Sequence, residues 1–191
     1  EKVGVKYAVA AVNGTSALHL ALDVAGVESG DEVLTQPLTF VATCNAILYQ
    51  NAHPVFIDIS TQTLSLSAEK LGEFLSNSVV IQNGQAFNKK SGRRIKACLP
   101  MHTFGHPAEL SEIKELCDAY KITLIEDAAE GVGSYYKGKH LGGVGDISAF
   151  SFNGNKIITC GGGGMVVTNN PEMAIKAKHL STVAKIPHPY E

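Results

Sequence analysis

Three short stretches carry residue types suited to chemistry. Asn13-Gly14-Thr15-Ser16 follows an apolar run at residues 7–12 and precedes Ala17, Leu18, Ala21, Leu22 and Ala25 at helical spacing. A strand, a tight turn and a helix start would bring backbone N–H groups, two hydroxyls and the positive end of the helix dipole to one point, a phosphate cup. The same stretch also reads as an ordinary helix start capped by Thr15 or Ser16. Glu126 and Asp127 close the apolar run at residues 122–125. Neighbouring strand residues point to opposite faces, so only one of these carboxylates aims easily into a site. There it can hold a metal, orient a base or pair with a protonated heterocycle; the alternative is a helix cap. Lys156 follows the turn Asn153-Gly154-Asn155 and is the only Lys or Arg between Lys139 and Lys176. An amine amid apolar and small residues suits a nucleophile that forms a Schiff base. The alternative is a surface lysine on a turn.

Other motifs read as structural. His102 and His106 are four apart, but Gly105 and Pro107 speak against the helix that a zinc pair at this spacing needs. Gly161-Gly162-Gly163-Gly164 leads into a strand rather than a helix, and so fails as a dinucleotide or P-loop motif, as does Gly142-Gly143-Val144-Gly145. Both runs are expected to let backbones approach closely or to turn sharply around a bound group.

The elements that position these residues alternate. Strands are expected at 7–12, 32–35, 54–59, 93–100, 122–125, 147–152 and 165–168, and helices at 15–25, 40–49, 67–75, 109–120 and 171–180. Thr39 is expected to cap the second helix and Ser67 the third. Residues 82–92 read as a polar, turn-rich loop, and Lys89, Lys90, Arg93 and Arg94 as solvated charges. The alternation implies a mostly parallel α/β sheet covered on both faces, with its ligand at the carboxyl ends of the strands. The tail from Ile186 is expected to be extended and to leave the domain, since Ile186 and His188 each precede Pro.

Composition narrows the function. The chain has 191 residues, 45% hydrophobic and 18% charged, with a net charge of −2. It is too apolar for a disordered chain and lacks both a membrane-length apolar run and a basic surface for nucleic acid. No signal-peptide pattern opens it, and the missing initiator Met suggests a start partway into a gene product. Cys44, Cys98, Cys117 and Cys160 are widely spaced, as expected of reduced thiols in a cytoplasmic protein rather than a disulfide framework or a zinc site.

The order of the motifs is specific. Asn13-Gly14-Thr15-Ser16-Ala17-Leu18-His19-Leu20-Ala21-Leu22, Thr39-Phe40-Val41-Ala42-Thr43, Glu126-Asp127-Ala128-Ala129-Glu130 and Phe150-Ser151-Phe152 with Lys156 resemble the DegT/DnrJ/EryC1/StrS family of sugar aminotransferases. Residues 151–159 and 184–191 resemble the subgroup acting on nucleotide-linked 4-keto-6-deoxy sugars in bacillosamine and legionaminic-acid pathways. The resemblance implies the aspartate-aminotransferase fold, the large domain of type I pyridoxal-phosphate enzymes, with a mostly parallel seven-stranded sheet and helices on both faces. It implies pyridoxal 5′-phosphate as cofactor and no metal. Lys156 would form the Schiff base, Asp127 pair with the pyridine nitrogen and Phe40 stack on the ring. Gly14, Thr15, Ser16 and Ser151 would cradle the phosphate. Glu130 stands where many members have Gln near the ring hydroxyl, and a carboxylate facing a phenolate has to be protonated or turned away.

A branch of the family with His in place of the lysine dehydrates, so Lys156 favours amino transfer. The implied reaction moves an amino group from glutamate to the C4 keto group of a nucleotide-linked deoxy sugar, in bacterial surface-glycan biosynthesis. Alternatives are a dehydratase, desulfurase or aldolase on the same fold, or an inactive cofactor-binding or dimerisation fragment. The resemblance also implies a cytoplasmic homodimer with shared active sites, in which residues 1–191 form the cofactor domain without the family's N-terminal segment and smaller C-terminal domain.

Overall fold

The computed structural model describes residues 2–186; the tail expected beyond Ile186 lies outside the described residues. Along the chain run β1 (Tyr7–Ala11), α1 (Gly14–Val24), β2 (Glu32–Thr35), α2 (Val41–Tyr49), β3 (His53–Phe56), α3 (Ala68–Ser78), β4 (Val79–Gln82), β5 (Gln85–Asn88), β6 (Arg94–Cys98), α4 (Leu110–Tyr120), β7 (Thr123–Asp127), β8 (Tyr135–Tyr136), β9 (Lys139–His140), β10 (Ile147–Ser151), β11 (Gly164–Thr168) and α5 (Pro171–Ser181). The main sheet has the order β1-β11-β10-β7-β6-β2-β3. Neighbours from β10 to β3 are parallel, and β11 is antiparallel to both β10 and β1. Within this seven-strand run, six strands therefore point one way and β11 alone is reversed.

Central strands buried on both sides carry consecutive apolar residues, and successive side chains sort to opposite faces. Val33, Ala97 and Ile125 join Leu18, Leu22, Ile47 and Ala177 in one core, under α1, α2 and α5. Leu34, Cys98 and Leu124 join Leu71, Leu75, Leu110 and Ile113 in the other, under α3 and α4. This sorting decides which of the two acids at the end of β7 faces which layer.

Three expectations change. Residues 82–92 are not one polar loop, because β4 and β5 form a hairpin that adds to β6 beside the seven-strand run. Asn83 and Gly84 turn it at φ 51° and 75°, both in the left-handed region that a two-residue hairpin turn demands. Arg94 of β6 is no solvated charge, since it pairs with Asp31 at 2.6 Å and Glu28 at 2.9 Å. Thr39 does not cap α2: Phe40 holds the cap position without a side-chain bond, while the Thr39 hydroxyl meets that of Thr43 at 2.7 Å. Ser67 does cap α3, accepting from the Lys70 N–H at 3.3 Å.

Candidate active site

The parallel strands β1, β10 and β7 deliver Asn13-Gly14, Ser151 and Asp127 to one edge of the sheet. Between them, the first turn of α1 and the start of α2 lies a cavity of about 320 Å³. Gly14, Thr15, Phe40, Asp127, Glu130, Ser151 and Lys156 all line it. Ser16 does not; it faces a second cleft between α1, β1 and the end of α5.

Asn13 decides how α1 presents its first turn. Its side chain accepts from the Ser16 N–H at 2.7 Å, and its carbonyl accepts from Ala17. The cap is therefore Asn13, and the Thr15 and Ser16 hydroxyls are not needed for that work. The first N–H groups of a helix have no partner within it, which leaves those of Gly14 and Thr15 at the cavity wall. Gly14 is required here, because a Cβ would lie 2.6 Å from Ser151 Cβ and 2.9 Å from its Oγ. The missing methyl lets the hydroxyl of β10 and the N-terminus of α1 share one cradle. Gly164 serves the same corner: a Cβ there would come 2.3 Å from the Asn13 carbonyl oxygen, so the glycine run works by close backbone approach.

Asp127 follows Ile125 onto the α1–α2 face. It is 3% exposed, and its Oδ2 accepts from the Thr43 hydroxyl at 2.7 Å and its Oδ1 from the Ala129 N–H at 3.2 Å. No helix starts at Asp127, so it is not a helix cap. Burial pushes its proton affinity above the usual aspartate range, outweighing the Thr43 and Ala129 bonds that pull the other way. A cationic partner in the cavity would relieve that cost.

Glu126 follows Leu124 onto the opposite face and never meets the cavity. Its carboxylate accepts from the N–H groups of Gly142 at 2.8 Å, Val144 at 2.8 Å and Gly145 at 2.5 Å, and meets His102 Nε2 at 2.9 Å. The Ala108 N–H donates to His102 Nδ1 at 3.2 Å, which leaves the ring proton on Nε2 to face Glu126. Burial raises Glu126, but the His102 bond and the Gly145 and Gly142 N–H groups outweigh it, and its proton affinity falls below the usual range. The second glycine run thus wraps a buried side chain rather than a bound group, and His102 braces the strand that carries Asp127.

Lys156 is a cavity lysine rather than a surface one. Its side chain is 14% exposed, and Nζ donates to Glu130 Oε1 at 3.1 Å. Glu130 Oε2 accepts from the Phe104 N–H at 3.1 Å. Sequence reasoning gave no role to Thr43, although a lone hydroxyl on the helix stripe of Ala46 and Ile47 marks a polar residue aimed inward. Gln36, one residue past β2, gathers three loops: Nε2 donates to Leu38 O at 2.8 Å and Thr103 Oγ1 at 3.1 Å, and Oε1 accepts from the Leu66 and Met101 N–H groups.

A mostly parallel sheet with a buried aspartate, an inward lysine and a helix-terminus cradle at its strand ends is a fold shared with solved pyridoxal-phosphate aminotransferases. The chain belongs to the DegT/DnrJ/EryC1/StrS aminotransferase family, which it matches over residues 1–187. It is 46% identical to EpsN of Bacillus subtilis (strain 168) over 187 residues, covering 98% of this chain and 46% of that one. It is 41% identical to the GDP-perosamine synthase of Escherichia coli O157:H7, covering 94% of this chain and 45% of that one. The solved structure of NtdA from Bacillus subtilis with bound cofactor PMP superposes with a TM-score of 0.79 at 31% identity, over 94% of this chain and 37% of that one. The chain thus spans about half the length of the curated relatives it matches.

The family's aminotransferases use pyridoxal phosphate, and the residues present fit it. The Gly14–Ser151 cradle suits a phosphate, and the buried Asp127 lacks only the cationic partner that a protonated ring nitrogen supplies.

Proposed function

We propose that the protein is a pyridoxal-phosphate aminotransferase that moves an amino group from an amino-acid donor, glutamate, to the C4 keto group of a nucleotide-linked deoxy sugar. The observation that carries this reading is one cavity shared by the Lys156 amine and the buried Asp127 carboxylate. The kinship with GDP-perosamine synthase supports the sugar-nucleotide class and a place in bacterial surface-glycan biosynthesis. Residues 1–191 act as the large cofactor domain of a longer cytoplasmic enzyme.

When bound, the cofactor supplies an electron sink for the substrate carbon. Asp127 keeps the ring nitrogen protonated, held in orientation by Thr43 and Ala129. The Gly14 and Thr15 N–H groups, with the Thr15 and Ser151 hydroxyls, would hold the phosphate, and Phe40 would meet the ring. Lys156 would anchor the cofactor, and its Nζ amine would carry the proton to and from the reacting carbon. Ser16 faces away from the cavity and its N–H donates to the Asn13 side chain, so it takes no part in holding the phosphate and serves only the start of α1.

Phe40, which lines the cavity, is 67% exposed, and Phe104, whose N–H donates to the cavity residue Glu130, is 78% exposed. Large apolar side chains left exposed beside a site mark an interaction surface, and these two support a homodimer whose partner completes each site.

Incubation of the cofactor-loaded protein with glutamate and no acceptor tests the reading. Release of one 2-oxoglutarate per site is expected, and its absence overturns amino transfer from glutamate. Replacing Lys156 with Ala should abolish covalent attachment of pyridoxal phosphate trapped by borohydride, read as the mass of the protein.

A further inference from the structure

Lys156 must shed a proton before its amine can attack or serve as a base, and the structure holds one group placed to take it. Among the described residues, Glu130 Oε1 at 3.1 Å is the hydrogen-bond acceptor recorded on Nζ. The charged groups lining the cavity are Lys156, Glu130 and Asp127. Asp127 is engaged by Thr43 and Ala129.

Glu130 is held for this contact from the other side. Its Oε2 is tied to the Phe104 N–H at 3.1 Å, on a turn where Phe104 has φ 53° and Gly105 φ 81°. A Cβ at Gly105 would lie 2.7 Å from the Glu130 carbonyl oxygen, so the turn and residue 130 are in close backbone contact. One carboxylate oxygen is thereby anchored and the other faces the amine.

We propose that Glu130 is the proton partner of Lys156, taking a proton from its ammonium and returning it when the amine is next released. This rests on the functional reading above. In the forward step an Nζ–H bond breaks, an O–H bond forms at Oε1 and the electron pair stays on nitrogen; the reverse step restores the ion pair. No redox partner is involved. The Glu in place of the family's frequent Gln then has a role of its own: its charge is turned to the lysine rather than to the cofactor's ring hydroxyl.

The test follows covalent capture of pyridoxal phosphate by the cofactor-free protein, quenched with borohydride at timed intervals and read by mass. Glu130→Gln keeps an oxygen for Nζ but cannot accept the proton. Capture near neutral pH should slow by about 100-fold while reaching the same final extent. Capture by Glu130→Gln as fast as in the parent overturns the proposal. Should that variant not fold, Glu130→Ala supplied with acetate decides: restoration in proportion to acetate supports proton transfer, and no restoration overturns it. Failure of the parent itself to capture the cofactor would instead count against the functional reading.

Discussion

Asp127→Asn separates what the buried carboxylate costs the fold from what it gives the cofactor. Asn can replace the local bonds: its oxygen accepts from the Ala129 N–H and its amide donates to Thr43 Oγ1, whose own proton turns to the Thr39 hydroxyl 2.7 Å away. In the cofactor-free protein, burial raises the Asp127 proton affinity, so the folded state holds that proton to higher pH than the unfolded chain does. Folding stability therefore falls as pH rises from the usual aspartate range through the raised value, and the penalty is complete above it. The Asn variant escapes it, so without cofactor it should be at least as stable as the parent at neutral pH. The two urea-unfolding curves should converge in acid. With cofactor the order reverses. A buried hydrogen bond between charged groups contributes about 2–3 kcal/mol, so the variant should bind pyridoxal phosphate about 30- to 150-fold more weakly in an equilibrium titration. Equal affinity for the cofactor, or a cofactor-free variant less stable than the parent at neutral pH, would refute the reasoning.

Gly14→Ala puts a methyl 2.6 Å from Ser151 Cβ; it should cost about 1–3 kcal/mol in thermal unfolding and weaken binding of inorganic phosphate to the cofactor-free protein. Thr43→Val strips Asp127 Oδ2 of its O–H donor, and a loss of about 1–3 kcal/mol is expected in urea titration. Glu126→Ala leaves the Gly142, Val144 and Gly145 N–H groups and His102 facing a void, at about 3 kcal/mol. Because the proton affinity of Glu126 is lowered on folding, its contribution is full above the usual glutamate range and lost as pH falls through the lowered value. The difference between parent and Glu126→Ala should accordingly shrink in acid.

Local pattern carried much of the fold. Periodicity located α1, α4 and α5 within a residue or two, because each must bury one stripe against a sheet. Alternation of strands and helices gave the parallel sheet. The β4–β5 hairpin escaped because Gln82, Gln85 and Asn88 make its strands look like a loop, although Asn83-Gly84 was the signal to weigh more heavily. Thr39 was a reasonable cap by residue type, but the neighbouring Thr43 and Met101 claim its hydroxyl.

The sequence by itself determined that two adjacent acids end β7 and that only one enters the site, since side chains alternate along any strand. It also determined the chemistry available to each stretch and the order of the motifs. Which acid enters was decided by tertiary structure: the layer holding α2 took Asp127, and the layer opposite closed around Glu126 with His102 and the backbone of residues 142–145. The same holds for the meeting of Gly14 with Ser151, 137 positions later, and of Lys156 with Glu130. Hydrogen bonds and steric contacts act over a few ångströms, and only the folded sheet brings strand ends so far apart in sequence within that range.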